Sequence, residues 1–320
     1  MLTLRGGRNI SDTRVLEQTV LTDREPDLQK VKPKTSAWDD FLALIKIGII
    51  KSNLITTFTG LWLALHFTGQ SFLGNLDIVL LTVLGTALII GGSGTLNNYI
   101  DRDIDHLMSR TQDRPTVTGR FKASHVLVLG LLLVALGTIL LAFTTVSAAI
   151  IGLLGVFLYA VVYTLSKRRY VQNTIIGSFS GAVPPLIGWA AVDGNLSVLA
   201  WTLFIIMFIW QPPHFYALAI RRSEEYRSAG IPMLPVVKGF KRTKHSMNFW
   251  VLLLMPIPYF LTPLGLPLVI LTIVLNIGWL LLGLYGYKMK DDIKWAKAMF
   301  IYSLNYLTIL FVSMVIVTLI

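Results

Sequence analysis

No cysteine occurs among the 320 residues, which excludes disulfides, zinc–thiolate sites and cysteine nucleophiles. Charge is also scarce. Only 14% of residues are Asp, Glu, Lys or Arg, against roughly 25% in soluble domains. Acidic residues are the rarer sign, 17 against 28 basic, so a place where they cluster calls for a reason. Residues 1–40 lack an apolar run, mix both charges and contain Pro26 and Pro33. They read as a flexible cytoplasmic tail without a signal peptide, leaving 41–320 as a single transmembrane domain.

What the chain has instead is apolar length. Hydrophobic residues make up 54% and the mean hydropathy is +0.66. Runs of about 20 apolar residues are what a membrane-spanning helix needs. They recur at 43–66, 78–99, 125–143, 147–165, 174–192, 197–219, 248–262, 266–286 and 296–319. The expected fold is all-α, a polytopic protein of about nine transmembrane helices in a bacterial lipid bilayer. A net charge of +11 would suggest nucleic acid in a soluble protein, but its distribution points elsewhere. The basic residues fall before or at the opening of the first span, up to Lys51, and in every second loop after it. By the positive-inside rule the N-terminus and those loops are cytoplasmic and the C-terminus lies outside. No nucleic-acid partner is expected.

The acidic cluster lies where the second span ends, in Asn97-Asn98-Tyr99-Ile100-Asp101-Arg102-Asp103-Ile104-Asp105. Residues four apart share a helix face, so a continuing helix would stack Asn97, Asp101 and Asp105 in one column of oxygens. Stacked carboxylates repel and resist burial. A hard cation resolves this, and Mg²⁺ commonly takes one or two carboxylates plus phosphate oxygens. Arg110 and Arg114 follow, also four apart, and guanidinium forks suit phosphate. A solvated helix end, or simple pairing with these arginines, explains the charges but not their juxtaposition.

Other polar residues inside apolar runs are candidates by default. Lys51 in the first span either snorkels to the interface or contacts an anion in a central cavity. Lys167, Arg168 and Arg169 after the fourth span serve as a topology anchor or bind substrate. Asn173 opens the fifth span, which Pro184-Pro185 is expected to break. Gln211 and His214 lie beside Pro212-Pro213 in the sixth, ahead of Glu224-Glu225. His214 is either a packing residue or a ligand, and the glutamates offer a second metal site or a water-mediated diphosphate contact. Spans two and six both end in aromatic, acidic and basic residues, which suggests two cytoplasmic loops capping one central cavity.

Taken together, these blocks resemble the UbiA-type intramembrane prenyltransferase superfamily, and within it the protohaem IX farnesyltransferase subfamily. Asn97-x₃-Asp101-x₃-Asp105 carries the superfamily signal. The narrower signal adds Arg110-Thr111-x-x-Arg114-Pro115, Asn173 with Gly181-Ala182-x-Pro184-Pro185, Trp210-Gln211-x-Pro213-His214-Phe215, and Gly230-Ile231-Pro232-Met233-Leu234-Pro235. A departure is Ile220, which stands where the wider superfamily commonly starts a second acidic motif.

The resemblance implies Mg²⁺ on Asn97, Asp101 and Asp105, with farnesyl diphosphate as donor. It implies haem B as acceptor, haem O as product, and a haem A synthase downstream. Arg110, Arg114 and Lys167 would offset charge on the diphosphate, and Arg168 or Arg221 would meet haem propionates. Tyr99, Tyr163 or Phe215 would face an allylic cation, while His214 would orient the porphyrin, ligate iron or position water. The alternatives are a quinone-precursor prenyltransferase with the same diphosphate chemistry, or an anion or lipid transporter with no Mg²⁺-dependent product.

Overall fold

The computed structural model describes residues 36–319, and no strand occurs among them. Residues 1–35, most of the expected tail, lie outside that range. The last residues assigned to the tail are helical: α1 spans Ala37–Leu44, and Asp40 within it is buried. Asp40 is held bidentately by Arg120, at 2.7 and 2.8 Å.

The chain then runs through α2 (Ile47–Phe67), α3 (Leu76–Asp101), α4 (Ala123–Ala142) and α5 (Val146–Ser166). Two short helices follow, α6 (Asn173–Gly181) and α7 (Val183–Ala190). After them come α8 (Val198–Arg221), α9 (Ser223–Ser228), α10 (Leu234–Leu252), α11 (Ile257–Phe260), α12 (Leu266–Tyr285) and α13 (Asp292–Ile316). Seven helices among the described residues are long and apolar enough to cross a membrane.

The expected count of about nine spans is not met at two places, one of them the break expected at Pro184-Pro185. The fifth expected span is two helices meeting at Ala182, just before Pro184-Pro185. The two prolines supply no N–H, so the helix cannot continue through them unpenalised. The seventh begins much earlier than expected, at Leu234, turns at Gly239 (φ +75°), and ends before Pro256 and Pro258. In α8, by contrast, Pro212 and Pro213 are carried inside an uninterrupted helix.

In lipid, close packing replaces the hydrophobic effect as the force between helices, and small residues permit it. Helices α3 and α4 approach so closely that a Cβ on Gly137 would lie 2.7 Å from Gly85 O. The inner helix α7 is buried along all eight residues, against α2 on one side. The main apolar core is built around α8, with Trp210, Trp279, Trp295, Tyr306 and Phe311. At one end of the bundle, the loop after α3 meets the segment after α8. Met108, Ala219, Ala229, Ile231 and Met233 form a small buried cluster there, with Ile104 and Tyr226 against it.

Candidate active site

Helix α3 delivers Asn97 and Asp101 on one face and then stops. Asp105 lies in a separate short turn, Asp105–Leu107, so the column is not one continuous helix as expected. The three side chains are nonetheless buried together, at 3%, 0% and 1% exposure. Asn97 Nδ2 donates to Asp101 Oδ2 at 2.8 Å and to Thr164 Oγ1 at 2.9 Å.

Each acid is held by cations from other segments. Lys167 is ion-paired with Asp101 Oδ2, and Arg168 Nη2 lies 3.3 Å from Oδ1. Arg114 Nη1 binds Asp105 Oδ2 at 2.5 Å. Arg168 also grips Asp103 with both terminal nitrogens at 2.7 Å, and donates to Ile100 O at 3.1 Å. A guanidinium on the terminal carbonyls of α3 complements the negative end of its dipole.

Burial and charge oppose one another here. The Asp105 carboxyl titrates above its ordinary range, chiefly because it is desolvated, although Arg114 pulls the other way. Burial lowers the Lys167 ammonium despite its contact with Asp101. Asp103, more exposed, is lowered by its hydrogen bonds from Arg168.

A proton therefore competes for Asp105 at higher pH than it would for a free aspartate. Any divalent cation that Asp105 helps to hold should be lost on acidification from above the ordinary carboxylate range, as the acid becomes neutral. Mn²⁺ titrations across pH 4–7 check this, and Asp105→Asn should flatten the profile.

The remaining predicted residues are distributed unevenly. Residues 108–119 form turns rather than a helix, so Arg110 and Arg114 do not share a helical face. Arg114 reaches Asp105, whereas Arg110 is exposed. Lys51 is exposed and has no ion pair among the described residues. One turn earlier, Lys46 contacts Asn97 Oδ1 and lies 3.3 Å from Tyr159 Oη.

Tyr163 stacks on Tyr159 with centroids 5.6 Å apart. Both belong to a π-helical stretch of α5, Phe157–Tyr163; such distortions recur at functional sites. Asn173 is buried and reaches Lys167 O and Pro232 O at 3.5 Å each, tying two loops together rather than facing open space.

Glu224 is 80% exposed and paired with Arg227, and Glu225 lies 3.9 Å from Arg222. Among the described residues no three His, Asp or Glu side chains gather as a metal site. Glu224 and Glu225 are thus engaged with neighbouring arginines of their own segment. The first site keeps two carboxylates plus an amide oxygen, a donor set of hard oxygens that suits Mg²⁺ with phosphate oxygens completing it.

His214 faces α13 inside an aromatic stack. Its ring lies 4.4 Å from Trp210 and 4.7 Å from Phe300 between centroids. Its Nδ1 is 2.7 Å from Ser303 Oγ. Because the Ser303 hydroxyl donates to Phe300 O at 2.6 Å, it accepts from His214 Nδ1–H, which leaves Nε2 with the lone pair. Arg221 lies over the same Phe300 ring at 5.5 Å.

Sequence reading missed Lys46, Thr164 and Tyr159 as contributors to the site. Lys46 sits at the expected edge of a span and looks like a snorkelling lysine. Thr164 and Tyr159 differ in no local pattern from lipid-facing neighbours.

Comparison with known proteins extends these observations. The model of the UbiA prenyltransferase family matches residues 53–304. The chain is 60% identical over 311 residues to protoheme IX farnesyltransferase 2 of Bacillus subtilis, covering 97% of this chain and 100% of that one. It is 63% identical over 287 residues to protoheme IX farnesyltransferase of Bacillus pumilus, covering 89% and 94%. Among solved structures, the fold resembles a digeranylgeranylglyceryl phosphate synthase at TM-score 0.71 and 19% identity, covering 88% and 98% of the two chains. It also resembles a UbiA homologue from Archaeoglobus fulgidus bound to GPP and Mg²⁺, at TM-score 0.59 and 14% identity, covering 86% and 99%.

Proposed function

The chain belongs to the UbiA prenyltransferase family, and from that premise we propose how its own residues perform the transfer. The protein is an integral membrane enzyme. It moves the farnesyl group of farnesyl diphosphate to a vinyl group of haem B, with addition of water, giving haem O and diphosphate. The observation that carries the site is the buried pair Asp101 and Asp105, held by three cations from two separate loops.

In this reading Asn97, Asp101 and Asp105 hold Mg²⁺ together with the diphosphate. When bound, the ion supplies Lewis-acid stabilisation of the leaving group. Arg114, Lys167 and Arg168, already gathered around the acids, turn to the diphosphate oxygens and offset the charge that builds there. Arg110 is the exposed entry contact. The stacked faces of Tyr159 and Tyr163 are available to the allylic cation, and the apolar helices around them exclude water.

For the acceptor, we assign the Trp210–His214–Phe300 stack and Arg221 to the porphyrin and its propionates. The Nε2 lone pair of His214 is the group that positions water or iron. The distribution of Lys and Arg favours a cytoplasmic N-terminus and site loops with the C-terminus outside. In this reading the transferase domain takes in the helix that carries Asp40, which Arg120 holds, so it begins a few residues before the expected boundary at 41. Haem O is then the substrate of a haem A synthase, the expected downstream partner.

The test is direct. Purified protein in lipid, given haem B, farnesyl diphosphate and Mg²⁺, should yield haem bearing farnesyl plus water, read by mass. A chelator should abolish it. Unmodified haem from folded protein that binds farnesyl diphosphate would sink the acceptor assignment.

A further inference from the structure

Lys46 has φ +55° and ψ +53°, and among the described residues it alone combines a positive φ with a Cβ. This left-handed conformation is unfavourable for a side chain, and it persists only where surroundings over-determine it. Here they do. Asn98 Nδ2 donates to Leu44 O at 3.0 Å and Thr95 Oγ1 to the same oxygen at 3.4 Å, pinning the chain just before Lys46. Gly94 leaves the slot for its stem: a Cβ there would stand 3.2 Å from Lys46 Cδ and 3.3 Å from Cγ.

Through that slot the ammonium reaches Asn97 Oδ1. The other amide atom of Asn97, Nδ2, is already committed to Asp101 and Thr164. Oδ1 is therefore the atom through which Asn97 can serve a cation, and Lys46 occupies it. An ammonium and a divalent ion cannot share one amide oxygen without strong repulsion.

We infer that Lys46 is a stand-in cation. It holds Asn97 Oδ1 in the empty enzyme and moves onto the diphosphate when metal and donor enter. This rests on the metal site proposed above. It also goes further, because one residue then opposes metal binding without donor and favours donor binding with metal. The two ligands become mutually dependent, and metal alone binds more weakly than metal with donor.

The experiment uses the full chain in lipid nanodiscs. Mn²⁺, which favours the same oxygen ligands, is titrated without donor by electron paramagnetic resonance. An unreactive thiolo analogue of farnesyl diphosphate is then titrated with Mg²⁺ by calorimetry. Lys46→Met should bind Mn²⁺ alone about tenfold tighter, yet bind the analogue about tenfold more weakly. Lys46→Gly relieves the left-handed strain and should behave like Lys46→Met. It carries the measurement if Lys46→Met does not fold. A merely structural role would leave both affinities unchanged or weaken both.

Mn²⁺ affinity that is not raised, or analogue affinity that is not lowered, overturns the inference while Asp101-dependent metal binding in the unaltered protein still stands. If Mn²⁺ binding survives Asp101→Asn, the metal-site reading itself fails and this inference falls with it.

Discussion

Asp101→Asn should lower haem O formation by about a thousandfold or more, the scale of losing a main electrostatic stabiliser of a leaving group. The carboxylate sits at the centre of the cluster. It accepts from Asn97 Nδ2, Lys167 and Arg168, and it is fully buried. Neutralising it removes the proposed metal donor and also leaves the mostly buried Lys167 ammonium without its partner. Uncompensated buried charge is destabilising by about 3–5 kcal/mol, so the single variant should also melt earlier.

The two effects can be separated. Asp101→Asn combined with Lys167→Met should recover much of the lost stability, because both charges are gone, but none of the turnover. Melting curves in detergent and haem mass analysis read the two quantities independently. Full turnover by Asp101→Asn would remove the assignment of this residue to the metal.

Gly188→Val should have the largest effect on folding. A Cβ at Gly188 would overlap Thr57 O and fall 2.8 Å from Leu61 N. Both obstacles are backbone, so no rotamer change relieves the clash. The same contact seen from α2 is Gly60, where a Cβ would stand 2.9 Å from Pro185 C. Forcing α2 and α7 apart should cost about 3 kcal/mol or more, seen as aggregation on size exclusion or a large loss in melting temperature. Gly48→Ala is the control, since nothing lies within 4 Å of its added methyl and it should behave like the unaltered chain. A stable, monodisperse Gly188→Val would contradict the close α2–α7 packing.

The bulk of the architecture was legible because hydropathy is a local property. Apolar runs of spanning length had to become helices, since no water is present to satisfy any other backbone. Pro184-Pro185 announced the break of the fifth span for an equally local reason, the missing N–H. Gly239 did not announce the turn in α10. A glycine takes positive φ about as readily as negative, and it sits in helices elsewhere in this chain, so its presence alone marks no turn.

The candidate site was half legible. Asn97, Asp101 and Asp105 stood out as scarce acids at the end of an apolar run, and their basic neighbours followed. The four-residue spacing picked out three side chains that are buried together, but by an imperfect route, because α3 ends at Asp101 and a separate turn brings in Asp105. For Arg110 and Arg114 the same spacing rule failed outright, since turns replace the helix it assumes.

By itself the sequence determined the class of molecule, the place where its acids cluster, and the family blocks that point to farnesyl transfer. Only the tertiary structure decided which cations meet those acids. Lys46 rather than Lys51 enters because Asn98 and Thr95 pin the chain before it and Gly94 clears its path. Those contacts join residues roughly 50 positions apart, a distance no local periodicity can span. The pairing of Lys167 with Asp101 and the aromatic sandwich around His214 have the same origin, in helices that are neighbours only once the bundle has packed.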